Sequence, residues 1–268
     1  MADTHKGTAL ITGASTGIGA VYADRLAHRG YDLILVARDK ARLDALATRL
    51  RAETGRTVDV LPADLTKSDE LATVQRKLEH DATITVLVNN AGISLNGGTL
   101  ESDSAQLQAL IAINITAPTL LAAAAAKAFV RRKAGAIINI ASVLALAPEL
   151  QEGTYSGSKA YLLNLSLKLA LDVKDAGVRV QAVLPGATRT EIWTRSGKDV
   201  DALLPGMVME TADLVDAALL GFDRGEVVTI PPLADEALWT AYHNARLALH
   251  PHLSRKDVAG RYRASLAA

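Results

Sequence analysis

Thr12-Gly13-Ala14-Ser15-Thr16-Gly17-Ile18-Gly19 is the stretch on which the fold reading depends. It follows an apolar run, Thr8 to Ile11, and opens a helical stretch that reaches Gly30. The glycines are spaced G-x-x-x-G-x-G rather than G-x-G-x-x-G. Without a Cβ, glycine permits a tight turn and lets backbone N–H groups approach an anion closely. The N-terminus of the helix that follows adds a partial positive charge there. Two readings are open at this point: a plain strand-to-helix turn that needs positive φ, and a cradle for the pyrophosphate of a dinucleotide.

Outward from this turn, short apolar runs alternate with longer amphipathic ones. Asp32 to Val36 reads as a second strand, and Leu43, Leu46, Ala47 and Leu50 recur at helical spacing before a stop at Gly55. Val58 to Leu61, Ile84 to Val88, Ala136 to Ile140 and Val178 to Leu184 repeat the strand signal, and Val227 to Ile230 reads as a last strand. Continuous apolar strands alternating with helices predict an α/β fold: a doubly wound, Rossmann-like parallel sheet with helices on both faces. The expectation is a single domain over residues 1–268, with a core at about 6–230. A loop over about 186–210 is expected to close on a substrate, and a tail over 232–266 reads as two helices split near Pro251. The alanine run Ala122 to Ala126 reads as a closely packed helix.

The composition removes several classes of function. The chain has 268 residues, 29 Lys plus Arg against 29 Asp plus Glu, and no cysteine. Zero net charge argues against a general nucleic-acid binder. Zero cysteine removes disulfides, thiolate zinc sites, iron–sulfur clusters and cysteine nucleophiles. His243, His250 and His252 lie near Asp235 and Glu236, but their spacing matches no ligand pattern, so no metal is expected. Met1 to Lys6 is polar, unlike a signal peptide. The longest apolar run, Ile115 to Ala126, is too short to span a bilayer. A cytoplasmic protein with no membrane partner is expected.

Five stretches in order carry a resemblance. After Thr12 to Gly19 come Asp64-Leu65, then Asn89-Asn90-Ala91-Gly92, then Ser142 with Tyr155 and Lys159, then Pro185-Gly186 with Thr190. Together they resemble the short-chain dehydrogenase/reductase family over roughly residues 6–230. Each has a plain alternative as a polar turn or loop starter, but all fall at strand C-termini, the edge where open α/β sheets bind ligands. The resemblance implies a dinucleotide held by Gly13, Ser15, Thr16, Gly17, Ile18 and Gly19. It further implies that Asp64 and Leu65 lie at the adenine end, Asn90, Ala91 and Gly92 along the ribose, and Pro185, Gly186, Thr188 and Thr190 at the nicotinamide, with Tyr155 and Lys159 also at the cofactor.

A carboxylate at the end of the second strand would bind a ribose 2′-hydroxyl. This chain reads Val36-Ala37-Arg38-Asp39 instead. A guanidinium grips a phosphate through two bonds, so Arg38 predicts NADP(H) over NAD(H). Asp39 either turns inward or caps the next helix.

Tyr155 and Lys159, at i and i+4 in a predicted helix from about Thr154 to Lys174, share one face. A phenol ordinarily titrates near ~10, and a neighbouring ammonium favours its ionised form. A phenol tuned in this way can exchange a proton with a substrate oxygen. Ser142 can hold that oxygen where charge develops. Asn114 corresponds to the family's fourth polar residue, which the resemblance implies supports a water relay to the lysine. As plain alternatives, Tyr155 and Lys159 would be a surface pair, Ser142 a turn residue, and Asn114 a donor to a helix carbonyl.

The expected activity is hydride transfer between a nicotinamide and the carbonyl or alcohol carbon of a small, mostly hydrophobic ketone, aldehyde or secondary alcohol. Ile93, Leu95, Leu144, Leu146 and Trp193 are expected to line the substrate pocket. Rival readings are a non-catalytic dinucleotide-sensing protein and a lyase or epimerase on the same scaffold. The resemblance also implies a homo-oligomer, with the helices around 103–131 and 154–174 paired across a two-fold axis. A dimer is expected ahead of a tetramer, since the tail could block a second contact.

Overall fold

Seven strands form one all-parallel sheet in the order β3-β2-β1-β4-β5-β6-β7. The computed structural model describes residues 6–95, 97–150, 153–191, 200 and 204–263. The strands are β1 (Thr8–Thr12), β2 (Asp32–Ala37), β3 (Val58–Pro62), β4 (Ile84–Asn89), β5 (Gly135–Ile140), β6 (Val178–Val183) and β7 (Val228–Thr229). Between them run α1 (Gly17–His28), α2 (Lys40–Thr54), α3 (Ser68–His80), α4 (Ser104–Ile111), α5 (Ala117–Arg132), α6 (Gly153–Val173) and α7 (Thr211–Asp223). The strand order reverses between β1 and β4, which places a topological switch point beside the glycine turn.

Each face of the sheet has its own core. On one face Tyr22, Leu26, Leu43, Leu50, Leu214 and Phe222 bring α1, α2 and α7 onto the strands. On the other, Leu78, Leu121 and Phe129 pack with the buried alanines of α5. A methyl side chain takes little room, so the alanine run lets α5 lie close against α3 and β4, as its composition predicts. The helix boundaries follow local chemistry. Asp39 caps α2 by accepting from Arg42 N–H at 3.1 Å, and Gly55 closes it in the left-handed conformation, with φ of 67°. Asp103 and Gln106 form a reciprocal cap at the start of α4.

The apolar run and the tail differ from their expected forms. The apolar run from Ile115 to Ala126 belongs to a helical stretch, Ser104–Arg132, which at 29 residues is long and apolar enough to cross a membrane. Half of its most apolar window is buried inside the protein, as in a core helix. The chain also divides into two compact units, Met1–Pro232 and Leu233–Ala268. Among its described residues the second unit contains one regular helix, α8 (Glu236–Ala248), capped by Asp235, with Trp239 tilted against Tyr242 and His243. The expected second tail helix is replaced by 3₁₀ turns at His250–His252 and Gly260–Tyr262. Pro251 supplies no N–H, and residues 247–263 are all exposed, so no buried face repays helix formation there.

Candidate active site

The glycine turn is closed by contacts across the switch point. Thr12 Oγ1 donates to the Val88 carbonyl and accepts from the Asn90 and Ala91 N–H groups at 3.0 and 3.1 Å. Asn90 Nδ2 donates back to the carbonyls of Thr12 and Gly13 at 2.9 and 3.2 Å. Gly13 sits at φ of 65°, and a Cβ there would lie 2.8 Å from Asn90 Nδ2. A Cβ on Gly19 would lie 2.4 Å from the Gly13 carbonyl oxygen. These two glycines therefore let α1 dock directly on the turn. Thr16 stands at the N-cap of α1 without a side-chain cap bond, so the helix start keeps donors for an external acceptor. Ser15, Thr16, Gly17 and Ile18 are partly accessible around it.

Opposite this turn, the chain beyond β6 comes close. The Thr190 methyl lies 3.4 Å from where a Gly17 Cβ would be. Thr188 forms a bridge with Met209, and its hydroxyl donates to the Gly186 carbonyl at 3.0 Å. Pro185 O accepts from Val143 N–H at 2.9 Å and tethers this segment to the end of β5. Arg42 Nη1 reaches both carboxylate oxygens of Glu191 at 2.7 Å, tying α2 to the same segment.

Arg38, just past β2, is exposed, while the Asp39 side chain is occupied by the cap and an ion pair to Arg42 at 3.3 Å. The open choice for Asp39 thus resolves to the cap. Beyond β3, Asp64 accepts from the amide and hydroxyl of Thr66 at 3.0 and 2.7 Å. Burial pushes its carboxyl up, but the two Thr66 bonds and the nearby Arg38 and Lys67 outweigh it and hold the group below its ordinary value. The Leu65 side chain is buried in the second core, which leaves only its backbone for a ligand.

The catalytic candidates converge where β4 and β5 end. Lys159 is 6% exposed, and its Nζ donates to the Ile140 carbonyl at 2.9 Å. The same Nζ lies 5.5 Å from the centroid of the Tyr155 ring. Burial pushes the Lys159 ammonium down to about 8. Ser142 follows β5 in extended backbone. Its hydroxyl caps a 3₁₀ turn by accepting from Leu144 N–H at 3.1 Å, and it faces the Pro185 carbonyl at 3.5 Å. Asn114 is 1% exposed and lies in a π turn, Ala112–Thr116, between α4 and α5. Its side chain clamps the Ile93 backbone through both N–H and carbonyl at 2.9 Å, and donates to Ser158 at 3.1 Å. Ser158 in turn donates to the Tyr155 carbonyl at 2.7 Å. A Cβ on Gly92 would lie 3.1 Å from Asn114 Oδ1 and 3.6 Å from Lys159 Nζ. The plain alternative for Asn114, a bond to its own helix, gives way to this clamp.

The pocket candidates divide. Leu144 and Leu146 are partly exposed on the turn after Ser142, whereas Leu95 is buried and Ile93 leans on the second core. Trp193 lies outside the described residues. Among the described residues, no cluster of three His, Asp or Glu side chains could hold a metal.

The sequence reading missed a second buried network. Asn89 Nδ2 donates to Asn139 Oδ1 at 2.9 Å across β4 and β5, and Asn139 Nδ2 donates to Ser166 of α6 at 2.9 Å. The available signal was an Asn in each of two otherwise apolar strands, since a buried polar side chain needs a partner.

The chain is similar to known proteins over most of its length. A family model described as short chain dehydrogenase matches residues 7–201. A solved structure of a short-chain dehydrogenase from Sphingobium yanoikuyae in complex with NADPH is 53% identical, with a TM-score of 0.92 covering 96% of this chain and 100% of that one. A bulky-bulky ketone specific alcohol dehydrogenase from Comamonas testosteroni is 46% identical, with a TM-score of 0.90 covering 97% and 100%. Human 17-beta-hydroxysteroid dehydrogenase type 3 is 36% identical over 184 residues, which are 68% of this chain and 59% of the human protein.

Proposed function

This chain belongs to the short chain dehydrogenase family, and on that premise we propose that it is an NADP(H)-dependent reductase of bulky, mostly apolar ketones, working reversibly on the corresponding secondary alcohols. The observation that carries the reading is the buried Lys159 ammonium held between the Ile140 carbonyl and the Tyr155 ring, one strand end from Ser142. Its neutral partners leave the positive charge uncompensated beside a phenol.

The residues present fit the dinucleotide. Gly13 and Gly19 let α1 begin directly against the Asn90 turn, and the N-terminus of α1 has no side-chain cap. A pyrophosphate suits that position. Asp64 and the backbone of Leu65 are assigned to the adenine end, and Asn90, Ala91 and Gly92 to the ribose. Pro185, Gly186, Thr188 and Thr190 are assigned to the nicotinamide end. Arg38 is the group for a 2′-phosphate, since no carboxylate occupies its place and Asp39 is committed to the cap.

When bound, the nicotinamide supplies the hydride for the carbonyl carbon, or accepts it in the reverse direction. Ser142 Oγ donates to the substrate oxygen and stabilises the charge that develops on it. Tyr155 gives that oxygen its proton, and the nearby ammonium of Lys159 stabilises the phenolate left behind. Asn114 fixes the loop at Ile93 and, through Ser158, the helical turn that carries Tyr155. Leu144, Leu146, Ile93, Leu95 and Trp193 are assigned to the apolar wall. The names of the Comamonas and human relatives, a bulky-ketone enzyme and a hydroxysteroid dehydrogenase, support a large apolar substrate. Exposed Ile111, Leu120 and Leu171 on α4, α5 and α6 support pairing into a homodimer. The same reading places the protein in the cytoplasm.

Steady-state rates with a panel of carbonyl compounds test this. Bulky aryl or alicyclic ketones with NADPH should outperform small charged keto acids. NADPH should exceed NADH in kcat/KM by about tenfold or more, the effect of one good phosphate contact. Arg38→Asp should reverse the cofactor order, and an NADH preference in the unmodified enzyme would refute the assignment.

A further inference from the structure

The edge of the sheet where the strands begin holds a second, unrelated cavity of about 220 Å³. It opens between the C-terminal ends of α1 and α7. Val86 of β4, Ile138 of β5, Leu26 of α1 and Leu219 of α7 form an apolar floor. The rim carries three cations, Lys6, Arg29 and Arg179, against one carboxylate, Asp223.

The charges are not evenly matched. Arg29 pairs with Asp223 at 3.0 Å. Arg179 lies over the Phe222 ring, 3.9 Å from its centroid, and donates to the Phe222 carbonyl at 3.3 Å. Lys6 Nζ lies 5.9 Å from the centroid of the Tyr31 ring and, among the described residues, has no carboxylate partner. One carboxylate therefore serves three cations. The helix C-termini offset part of that excess, but the Phe222 carbonyl uses only Arg179.

We propose that this cavity is a binding site for a small aromatic carboxylate, its ring on the Val86–Ile138 floor and its anionic group between Arg179 and Lys6. The size fits: an aliphatic cavity of about 150 Å³ holds one benzene, so the larger volume here accommodates a ring together with a carboxylate. A bidentate guanidinium–carboxylate bond gives the orientation. The site lies at the edge opposite Ser142, Tyr155 and Lys159, so it can be occupied together with the catalytic cleft, and it does not depend on the function assigned there.

Calorimetric titration of benzoate into the full-length protein tests the site, with and without saturating NADPH, using benzamide and inorganic phosphate as comparison probes. The expected result is one benzoate per chain, unaffected by NADPH. Benzamide should bind about tenfold more weakly for lack of charge, and phosphate about tenfold more weakly for lack of an apolar body. Arg179→Met and Lys6→Met should each weaken benzoate by about fivefold to tenfold. Lys6→Met removes an ammonium before β1 that, among the described residues, has no carboxylate partner, so it tests the site even if Arg179→Met fails to fold. Benzoate binding that is lost with NADPH, matched by benzamide or phosphate, unchanged by Lys6→Met, or absent altogether overturns the proposal.

Discussion

The half of the sheet from β1 to β3 and the half from β4 to β6 meet at one edge, yet they shape it by opposite means. On the first side, the geometry depends on atoms that are missing: Gly13 and Gly19 let α1 approach the Asn90 turn so closely that a Cβ would collide with backbone or amide. On the second side, it depends on polar atoms that are present and buried: Asn89, Asn139 and Ser166 in one chain, and Asn114, Ser158 and the Tyr155 carbonyl in another. A surface made of exposed backbone accepts a ligand by its shape and dipoles. A surface underpinned by buried amides holds individual side chains at fixed positions, as proton transfer requires. The comparison teaches that the two halves should fail differently.

The largest failure should come from the second half. Tyr155→Phe should lower kcat by a factor of about 10³ or more, in keeping with the loss of a positioned acid. NADPH affinity, read by fluorescence titration, should stay within about twofold. A variant that kept its turnover would break the assignment of Tyr155 as proton donor. Next, Gly19→Ala should damage the first half selectively. Its methyl would meet the Gly13 carbonyl oxygen at 2.4 Å, so α1 must shift. NADPH binding should weaken by about a hundredfold, the scale of a 2–3 kcal/mol loss. If only turnover fell and binding held, the division between the halves would be wrong.

Smaller still, Asn139→Ala removes one of the two acceptors of Asn89 and a donor to Ser166, and should cost about 1–3 kcal/mol in chemical denaturation. Its effect on cofactor preference should be nil. A further effect concerns pH. Burial holds Lys159 at about 8, below its unfolded value near ~10.4. Between these values the unfolded chain binds more protons, so the Lys159 contribution to stability rises with pH across that window. Below about pH 8 the ammonium is charged in both states and its burial cost is fully present. The stability difference between the unmodified protein and Lys159→Met should therefore change across pH 8–10 and level off below it. A flat difference would mean that Lys159 is better solvated than its surroundings imply.

The same contrast accounts for what could be read in advance. The glycine turn, the strands and the Tyr155–Lys159 pair are local: their spacing along the chain is their spacing in space, through a turn or an i, i+4 step. Helix stops such as Gly55 and caps such as Asp39 belong to the same class. The Asn114 clamp on Ile93 spans 21 residues of chain, and its bond to Ser158 spans 44. Such pairings exist only after the sheet has assembled, so no periodicity announces them. The tail misled for a related reason. An apolar pattern after Pro251 predicts a helix only if something buries it, and Leu253, Val258 and Tyr262 are exposed.

The π turn at Ala112–Thr116 has a consequence for how this chain tolerates changes in length. An ordinary α-helix advances about 100° per residue. The wider turn accommodates an extra residue without lengthening the helix by a full step. α4 and α5 thus behave like two gears coupled one tooth out of phase, each meshed with its own neighbours. Removing one residue here would restore the regular ladder, but it would also turn one gear against the other, and either Asn114 would swing away from Ile93 or the alanine face would lose its seat on α3. A single deletion in this turn is therefore a rotation of half the protein's second layer, whereas the same deletion in the exposed stretch after Pro251 would turn nothing that is packed.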